Sequence, residues 1–128
     1  MNFKVASAYH DAELKGIDSS NASDIVLYFC LENGQKLSLT LHGCEFFRVT
    51  DFVSQNVVSR LLIFQGQDID KGSVIEKLRW ATSLCDSKSF LEQEKLDEII
   101  TKIQKGERSL LVLEPSWGAE LVALFERL

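Results

Sequence analysis

The chain has 128 residues, of which 45% are hydrophobic and 26% are charged, and its 19 acidic and 14 basic residues give a formal net charge of -5. This length indicates one domain spanning residues 1–128, large enough to bury a core without disulfide or metal support. The composition excludes a membrane-spanning helix, which needs about 20 apolar residues in a row, and the acidic balance argues against nucleic-acid binding, which needs a basic surface.

The N-terminal part predicts short, irregular elements. Residues 3–8 fit either a short helix or a short strand, and residues 12–18 fit a strand interrupted at Lys15 and Gly16. Residues 19–23 are polar and small, which is typical of a loop that leads into a strand.

A β-hairpin is the clearest prediction in the first half of the chain. An almost unbroken apolar run, residues 24–32, meets a strictly alternating run, residues 35–42, at Asn33-Gly34. Asn and Gly both tolerate the positive φ of a type I′ turn, so this dipeptide between apolar runs predicts a tight hairpin.

The register of this hairpin has two solutions. The turn chemistry favours a two-residue loop, which pairs Cys30 with Leu37. A three-residue loop with Gly34 in a bulge instead places Phe29 on the same face as the leucines. Because both faces of the first strand are apolar, we expect cover on both sides of it.

Two more strands are predicted, over residues 44–51 and 57–65, with Gly43 permitting the sharp link from the hairpin. Ser, Gln and Asn between these strands fit a polar turn. With the hairpin, the two strands predict a four-stranded antiparallel meander.

Two capping boxes predict helices. Ser73-x-x-Glu76 opens a helix over residues 73–85, whose apolar stripe leaves Trp80 partly exposed. Ser89-x-x-Glu92 opens the clearest helix, with Glu98 and Lys102 as an i,i+4 pair and Gly106 after its last turn. The apolar face of this second helix is formed by Leu96, Ile99, Ile100 and Ile103.

The C-terminal tail begins with a strand over residues 109–113, followed by a predicted turn at residues 115–118. Residues 119–128 fit a helix by propensity or a return strand by the tight turn, and we favour the strand. The elements together predict an α+β fold: an antiparallel meander sheet of about five to seven strands with two helices packed on it.

Residues that could support chemistry are few. His10 and His42 are the only histidines, and residues 42–45, His-Gly-Cys-Glu, could form a zinc site only with His10, Asp11 or Cys30. Cys44 beside His42 is the only local pair of nucleophile and base, and no glycine-rich phosphate loop is present. We therefore expect no enzyme activity, no metal and no cofactor, and whether His10, His42 and Cys44 converge is left open.

The cysteines and the N-terminus indicate a cytoplasmic location. The three cysteines, Cys30, Cys44 and Cys85, form no C-x-x-C motif, and we expect free thiols. The first residues carry one lysine and too short an apolar stretch for a signal peptide.

Aromatic residues indicate a binding surface. Phe46 and Phe47 are consecutive on a predicted strand and must point to opposite faces, so one of them lies at an interface unless the helices cover both faces. Protein interfaces are enriched in Phe, Tyr, Trp and Arg. The candidate binding residues are Phe47, Arg48, Trp80, Trp117, His10 and Asp11.

Four short motifs carry a resemblance to a known group of proteins. They are residues 10–14 (His-Asp-Ala-Glu-Leu), 48–52 (Arg-Val-Thr-Asp-Phe), 55–58 (Gln-Asn-Val-Val) and 115–120 (Pro-Ser-Trp-Gly-Ala-Glu). With these motifs the chain resembles short bacterial proteins of unassigned role, some of which are classed as immunity proteins of bacterial toxin systems. The resemblance implies an α+β fold, a strand for the tail, and a role in binding without catalytic residues.

The predicted function is therefore a non-catalytic, immunity-like protein of a bacterial cytosol that binds and neutralises a protein partner, such as a basic toxin. Its acidic surface would steer the partner, with Trp80, Trp117 and Phe47 as anchors. The first alternative is a structural homo-oligomer built through an exposed sheet edge or face. The second is a small hydrolase or metal-binding protein that uses His10, Asp11, His42 or Cys44.

Overall fold

The computed structural model describes residues 3–5, 7–21, 23–84 and 88–128. A short 3-10 helix, Ser7–Tyr9, precedes β2, and the two α-helices are α1 (Lys71–Ala81) and α2 (Gln93–Gln104). The strands are β1 (Phe3–Val5), β2 (Glu13–Asn21), β3 (Asp24–Cys30), β4 (Lys36–Leu41), β5 (Phe46–Thr50), β6 (Val57–Phe64), β7 (Ser109–Trp117) and β8 (Glu120–Phe125).

All strand pairs are antiparallel, and seven strands form one continuous path in the order β4-β3-β2-β6-β7-β8-β5, with β1 beside β6. The predicted class, an α+β fold with an antiparallel sheet and two helices packed on it, is confirmed. Of the predicted four-stranded meander, only the pairing of β3 with β4 is confirmed. The meander does not continue as predicted, because β5 pairs with β8 and β6 pairs with β7.

The sheet has a hydrophobic core on each face. On one face, the first core contains Phe29, Leu41, Leu61 and Phe125 among its buried side chains. On the other face, α1 and α2 pack on β6, β7 and β8 to form the second core. Alternate residues of β7 and β8 enter the two cores, which explains why both strands are apolar along their whole buried length.

The hairpin adopts the three-residue loop, so the favoured two-residue register is wrong. Cys30 pairs with Lys36 and Phe29 with Leu37. The Leu31 N–H donates to the Gln35 carbonyl at 2.8 Å, and Gly34 has a φ of +90°. Only Gly34 of the Asn-Gly pair adopts the left-handed region, which gives a bulge in place of a type I′ turn.

Burial decides this register. It places one apolar row of β3 in the first core, whereas the other row lies on the outer face of the sheet, where Tyr28 is 45% exposed. The expected cover on both sides of this strand is therefore wrong, because the helices cover β6, β7 and β8 instead.

Both predicted capping boxes are wrong. Asp70 caps α1, since its carboxylate accepts hydrogen bonds from the Ser73 N–H at 3.3 Å and the Ser73 hydroxyl at 3.0 Å. At the second helix, the Ser89 hydroxyl bonds to Thr82 and to the Leu91 N–H, and α2 begins at Gln93. The first helix ends at Ala81, with Thr82 as its C-cap, so the predicted extent to residue 85 is wrong; Cys85 itself lies outside the described residues.

The body and the end of α2 are as predicted. Its apolar face is buried, and the Lys102 ammonium lies 3.3 Å from the Glu98 carboxylate. Gly106, with a φ of +80°, ends the helix, and the next N–H, of Glu107, donates to the Lys102 carbonyl at 2.9 Å.

The tail is a strand pair, as favoured, but its turn lies further along the chain than predicted. β7 continues through Pro115 to Trp117, and Gly118, with a φ of +86°, begins the link to β8. β2 is likewise longer than predicted: its register shifts between Leu14 and Gly16, at the expected interruption, and it continues to Asn21 through the predicted loop.

Candidate functional site

One row of residues crosses five neighbouring strands near one end of the sheet. Cys30 pairs with Lys36 on one side and with Glu13 on the other, Glu13 pairs with Val57, and Val57 pairs with Trp117. Directly paired residues project from the same face. With strands about 4.8 Å apart, the row extends over about 19 Å.

This row lies on the outer face, away from the first core. The residues that adjoin it in the sequence, Phe29, Leu14 and Val58, are buried in that core, and successive side chains of a strand point to opposite faces. The outer face at this end is therefore available to solvent or to a partner.

An acidic groove lies at this end, beside the β3–β4 turn. Its volume is about 360 Å³, and it is lined by Asp11, Glu13, Cys30, Leu31, Glu32, Gly34, Gln55 and Val57. Three carboxylates and no basic side chain are among these lining residues. Cys30, Leu31 and Val57 are also in the lining, so the groove combines negative charge with apolar surface that a partner can desolvate.

Glu13 is the carboxylate with the best-defined partners. The Lys15 ammonium lies 2.8 Å from the Glu13 carboxylate. This ammonium and the Gln55 side chain both hydrogen-bond to Glu13 and lower the pKa of its carboxyl below its ordinary value. Glu13 therefore stays ionised at neutral pH, with Lys15 balancing its charge, and Asp11 and Glu32 supply the excess negative charge of the groove.

A buried asparagine fixes the backbone around the groove. Asn56, which is 3% exposed, donates from its amide to the Leu14 carbonyl at 3.2 Å and the Val53 carbonyl at 2.7 Å. Its side-chain oxygen accepts from the Val53 N–H at 2.9 Å and the Ala119 N–H at 3.0 Å. One side chain thus ties together β2, the β5–β6 loop and the β7–β8 turn.

Exposed apolar side chains lie on the loop and the strand end that are joined to Asn56. Phe52 is 46% exposed, Val53 is 44% exposed and Trp117 is 66% exposed; we call these three residues the apolar rim. Trp117 pairs with Val57, which lines the groove. Large exposed apolar side chains beside a polar groove are typical of protein-binding surfaces.

The structure does not bring the predicted binding residues together in one place. Asp11 and Trp117 lie at the groove and its rim. Arg48 lies over the ring of Trp80, with 4.2 Å from its Cζ to the ring centroid, and donates to the Trp80 carbonyl at 2.8 Å and the Ser83 hydroxyl at 3.1 Å. Phe47 packs against the first core.

Arg48 therefore joins β5 to the C-terminal end of α1. Trp80 is half-buried, as its position off the helical stripe predicted. The residues that the sequence interpretation missed are Glu13, Glu32, Phe52 and Gln55. Glu13, Phe52 and Gln55 fall within the resemblance motifs, whereas Glu32 had no mark beyond the predicted hairpin, because a single charged residue at a strand end is ordinary in any protein.

The histidines do not converge. His10 lies beside Asp11, with 3.3 Å between its Nδ1 and the carboxylate, and lines a depression of about 540 Å³ at the β3–β4 turn. His42 bonds to Asp24 at 3.3 Å, at the opposite end of β3. The length of β3 places the two about 20 Å apart. Among the described residues, no group of three or more His, Cys, Asp or Glu side chains could hold a metal ion.

Cys44 also differs from a catalytic thiol. Burial, with a smaller effect of the Glu45 carboxylate, raises the pKa of Cys44 to about 11 from an ordinary value of 9.0. The thiol hydrogen-bonds to the Phe46 carbonyl at 3.4 Å. Such a thiol stays protonated at neutral pH, which is the inert form.

This pKa predicts a pH dependence of stability. As pH rises from 9.0 towards about 11, the unfolded chain loses the Cys44 proton while the folded chain keeps it, so the free energy of unfolding falls. We expect urea unfolding to show this loss in the native protein and not in Cys44→Ala, which is the matched control for all other titrating groups. A constant difference between the two proteins across this range would contradict the raised pKa.

Comparisons of the chain with protein-family models, curated proteins and solved structures found no match. Among the residues that the structure describes, no helix is long and apolar enough to cross a membrane. The topology and the groove define the class: an α+β protein whose open sheet ends in an acidic groove with an apolar rim.

Proposed function

We propose that this protein binds a basic protein partner through the acidic groove and the apolar rim, and that it does so without catalysing a reaction. The observation that carries the proposal is the placement of Trp117, 66% exposed, beside a groove with three carboxylates. An exposed tryptophan supplies the desolvated centre of an interface, and the carboxylates attract a basic partner and select against an acidic one.

The resemblance motifs support the same surface. Residues 10–14 include Asp11 and Glu13 of the groove, and residues 48–52 end at Phe52 of the rim. Residues 55–58 include Gln55 and the buried, hydrogen-bonded Asn56, and residues 115–120 contain Trp117. Four segments that are distant in the sequence thus meet at one end of the fold.

The finer proposal is an immunity-like role: the protein neutralises a bacterial toxin by covering its site. The resemblance supports this role, and the negative charge of the groove suits a toxin with a basic active surface. We also propose a location in a bacterial cytosol, which the free thiols Cys30 and Cys44 support.

A capture experiment with matched charge variants tests the groove. We expect the native protein to retain a basic protein from host lysate at low salt and to release it at high salt, because exposed charges are screened. Asp11→Asn/Glu32→Gln should lose this retention. Glu94→Gln/Glu107→Gln removes the same number of charges from exposed positions outside the groove and should keep it.

The rim is tested on the purified pair. Trp117→Ala should weaken binding by about 30-fold, or about 2 kcal/mol, as for a central interface aromatic. Phe90→Ala is the control, since Phe90 is 65% exposed but lies beside Phe46, away from the groove. Equal affinities of both variants and the native protein would refute the proposed surface.

The immunity role needs its own readout. The captured protein is expressed in cells with and without this chain, and growth is measured. Toxicity that the native chain relieves and Trp117→Ala does not relieve supports neutralisation. A captured partner that is not toxic would refute the immunity role but leave the binding surface intact.

A further inference from the structure

The outer face of β2, β3 and β4 adjoins the acidic groove but differs from it in charge. The two helices pack on β6, β7 and β8, so the side chains of the other three strands that point away from the first core stay accessible. Tyr28 is 45% exposed there, and Lys36 and Ser38 of β4 are exposed beside it. Cys30 belongs both to this face and to the lining of the groove.

Tyr28 stands on this face between two residues with little or no side chain. It pairs with Gly16 of β2 and with Ser38 of β4, and directly paired residues project from the same face. A Cβ at position 16 would already be in van der Waals contact with the Tyr28 ring, at 3.7 Å from its Cδ2. Because Gly16 has no side chain, the ring is open to a partner.

Two lysines lie on either side of this tyrosine. The register of β2 shifts between Leu14 and Gly16, which leaves Lys15 as the extra residue of a bulge. Its ammonium contacts the Glu13 carboxylate at 2.8 Å, which places it on the outer face. Lys36 comes from β4, where it pairs with Cys30.

These residues enclose a hollow of about 500 Å³, which we call the Tyr28 hollow. It is lined by Lys15, Tyr28, Phe29, Cys30, Lys36, Leu37 and Ser38. Two basic side chains and no acidic side chain are among these lining residues. The outer face therefore changes sign at Cys30, from the acidic groove on one side to the Tyr28 hollow on the other, with the ion pair of Glu13 and Lys15 at the boundary.

The groove and the hollow lie within reach of one short segment of a partner. Val57 in the groove and Lys36 in the hollow are three strand spacings apart across the sheet, which is about 14 Å. Tyr28 is two positions from Cys30 along β3, which is about 7 Å. An extended segment of about four residues spans about 14 Å, so a single segment can contact both charges.

We propose that the Tyr28 hollow receives an acidic side chain of the same protein partner whose basic residues occupy the acidic groove; this inference rests on the proposed function. The carboxylate lies between the ammonium groups of Lys15 and Lys36, and its apolar stem lies against the Tyr28 ring. An ammonium has three N–H donors, so Lys15 can bind this carboxylate and keep its contact with Glu13.

The two charges together select the partner and its orientation. A segment with basic and acidic residues in the matching order satisfies both sites, whereas the reversed segment places like charges together at each of them. A uniformly basic segment is repelled at Lys36. This repulsion gives the surface a specificity that the acidic groove alone lacks.

A titration with benzoate at constant ionic strength tests the hollow on the purified full chain, without the partner. Benzoate presents one carboxylate on an apolar ring, and in the millimolar range it should shift the amide NMR signals of Tyr28, Cys30 and Lys36 to saturation. Lys36→Gln should raise its dissociation constant about threefold, since an exposed ion pair contributes little. Lys105→Gln is the control, because Lys105 is exposed at the end of α2 and lines neither cavity. If these signals do not move, the proposal is overturned, whether or not a partner has been captured.

The captured partner gives the second readout. Lys36→Glu should raise the dissociation constant of the purified pair about tenfold, because it opposes two carboxylates, and Lys105→Glu, with the same net charge, should leave the constant unchanged. Full affinity of Lys36→Glu beside lost affinity of Asp11→Asn/Glu32→Gln overturns this inference and keeps the proposed function. If benzoate binds but Lys36→Glu leaves the affinity unchanged, the hollow takes a small carboxylate and not the partner, which also overturns the inference. Unchanged affinity of Asp11→Asn/Glu32→Gln instead refutes the proposed function.

Discussion

We expect the Asn56→Ala variant to lose about 3 to 5 kcal/mol of unfolding free energy, because a buried polar group left without a partner costs about 1 to 3 kcal/mol. The side chain of Asn56 makes four hydrogen bonds, to Leu14, to both backbone groups of Val53 and to Ala119. Its removal leaves the Leu14 carbonyl and the buried Ala119 N–H unsatisfied. Urea unfolding monitored by tryptophan fluorescence measures the loss.

Two further variants separate the hydrogen bonds from other effects. Asn33→Ala is the control, since Asn33 is exposed and accepts one local hydrogen bond, from the Gln35 N–H at 2.9 Å; its cost should be about 0.5 kcal/mol. Asn56→Asp keeps the size and the acceptor of Asn56 but replaces its two N–H donations with a buried carboxyl group. If the Asn56→Ala protein were as stable as Asn33→Ala, the hydrogen bonds of Asn56 would not be what holds the backbone around the groove in place.

The second large effect is expected at Gly118, where an added methyl group has no room. Gly118 has a φ of +86°, and a Cβ there would lie 2.5 Å from the Asn56 side-chain oxygen and 3.0 Å from the Gln55 carbonyl. Gly118→Ala should therefore cost about 3 kcal/mol or more, of which about 1 to 2 kcal/mol is the left-handed conformation itself. The measurement is again urea unfolding.

Gly34→Ala is the matched control for this substitution. Gly34 has a similar φ of +90°, but nothing lies within 4 Å of a Cβ added there, so only the conformational cost of about 1 to 2 kcal/mol should remain. The difference between the unfolding free energies of the two variants measures the cost of placing a Cβ at position 118 against Asn56 and Gln55. If Gly118→Ala costs no more than Gly34→Ala, the turn can move away from the loop.

The two positions should also be coupled. Asn56 supplies the atom that the new methyl group at Gly118 would meet, so the methyl group should cost less once Asn56 has been replaced by Ala. A double-mutant cycle with Asn56→Ala/Gly118→Ala should therefore be non-additive by at least about 1 kcal/mol. Additive effects would mean that the β5–β6 loop and the β7–β8 turn are independent.

Local patterns of the sequence determined the elements of this fold. Alternation around Asn33-Gly34 was enough for the β3–β4 hairpin, and helical periodicity with Gly106 was enough for α2. The odd number of cysteines and the lack of a C-x-x-C motif predicted free thiols. Cys30 and Cys44 are free thiols in the structure. These features depend on interactions between residues that are close in the chain, so a single sequence carries them.

Tertiary structure decided the register, the pairing and the site. Burial of Phe29 in the first core overrode the turn preference of Asn33-Gly34. The apolar pattern of β5 fits a neighbour on either side, and only packing of both cores selects β8. The groove brings together Asp11 and Gln55, and its rim adds Trp117; no local interaction links three segments so far apart in the chain, so the folded sheet alone places them side by side.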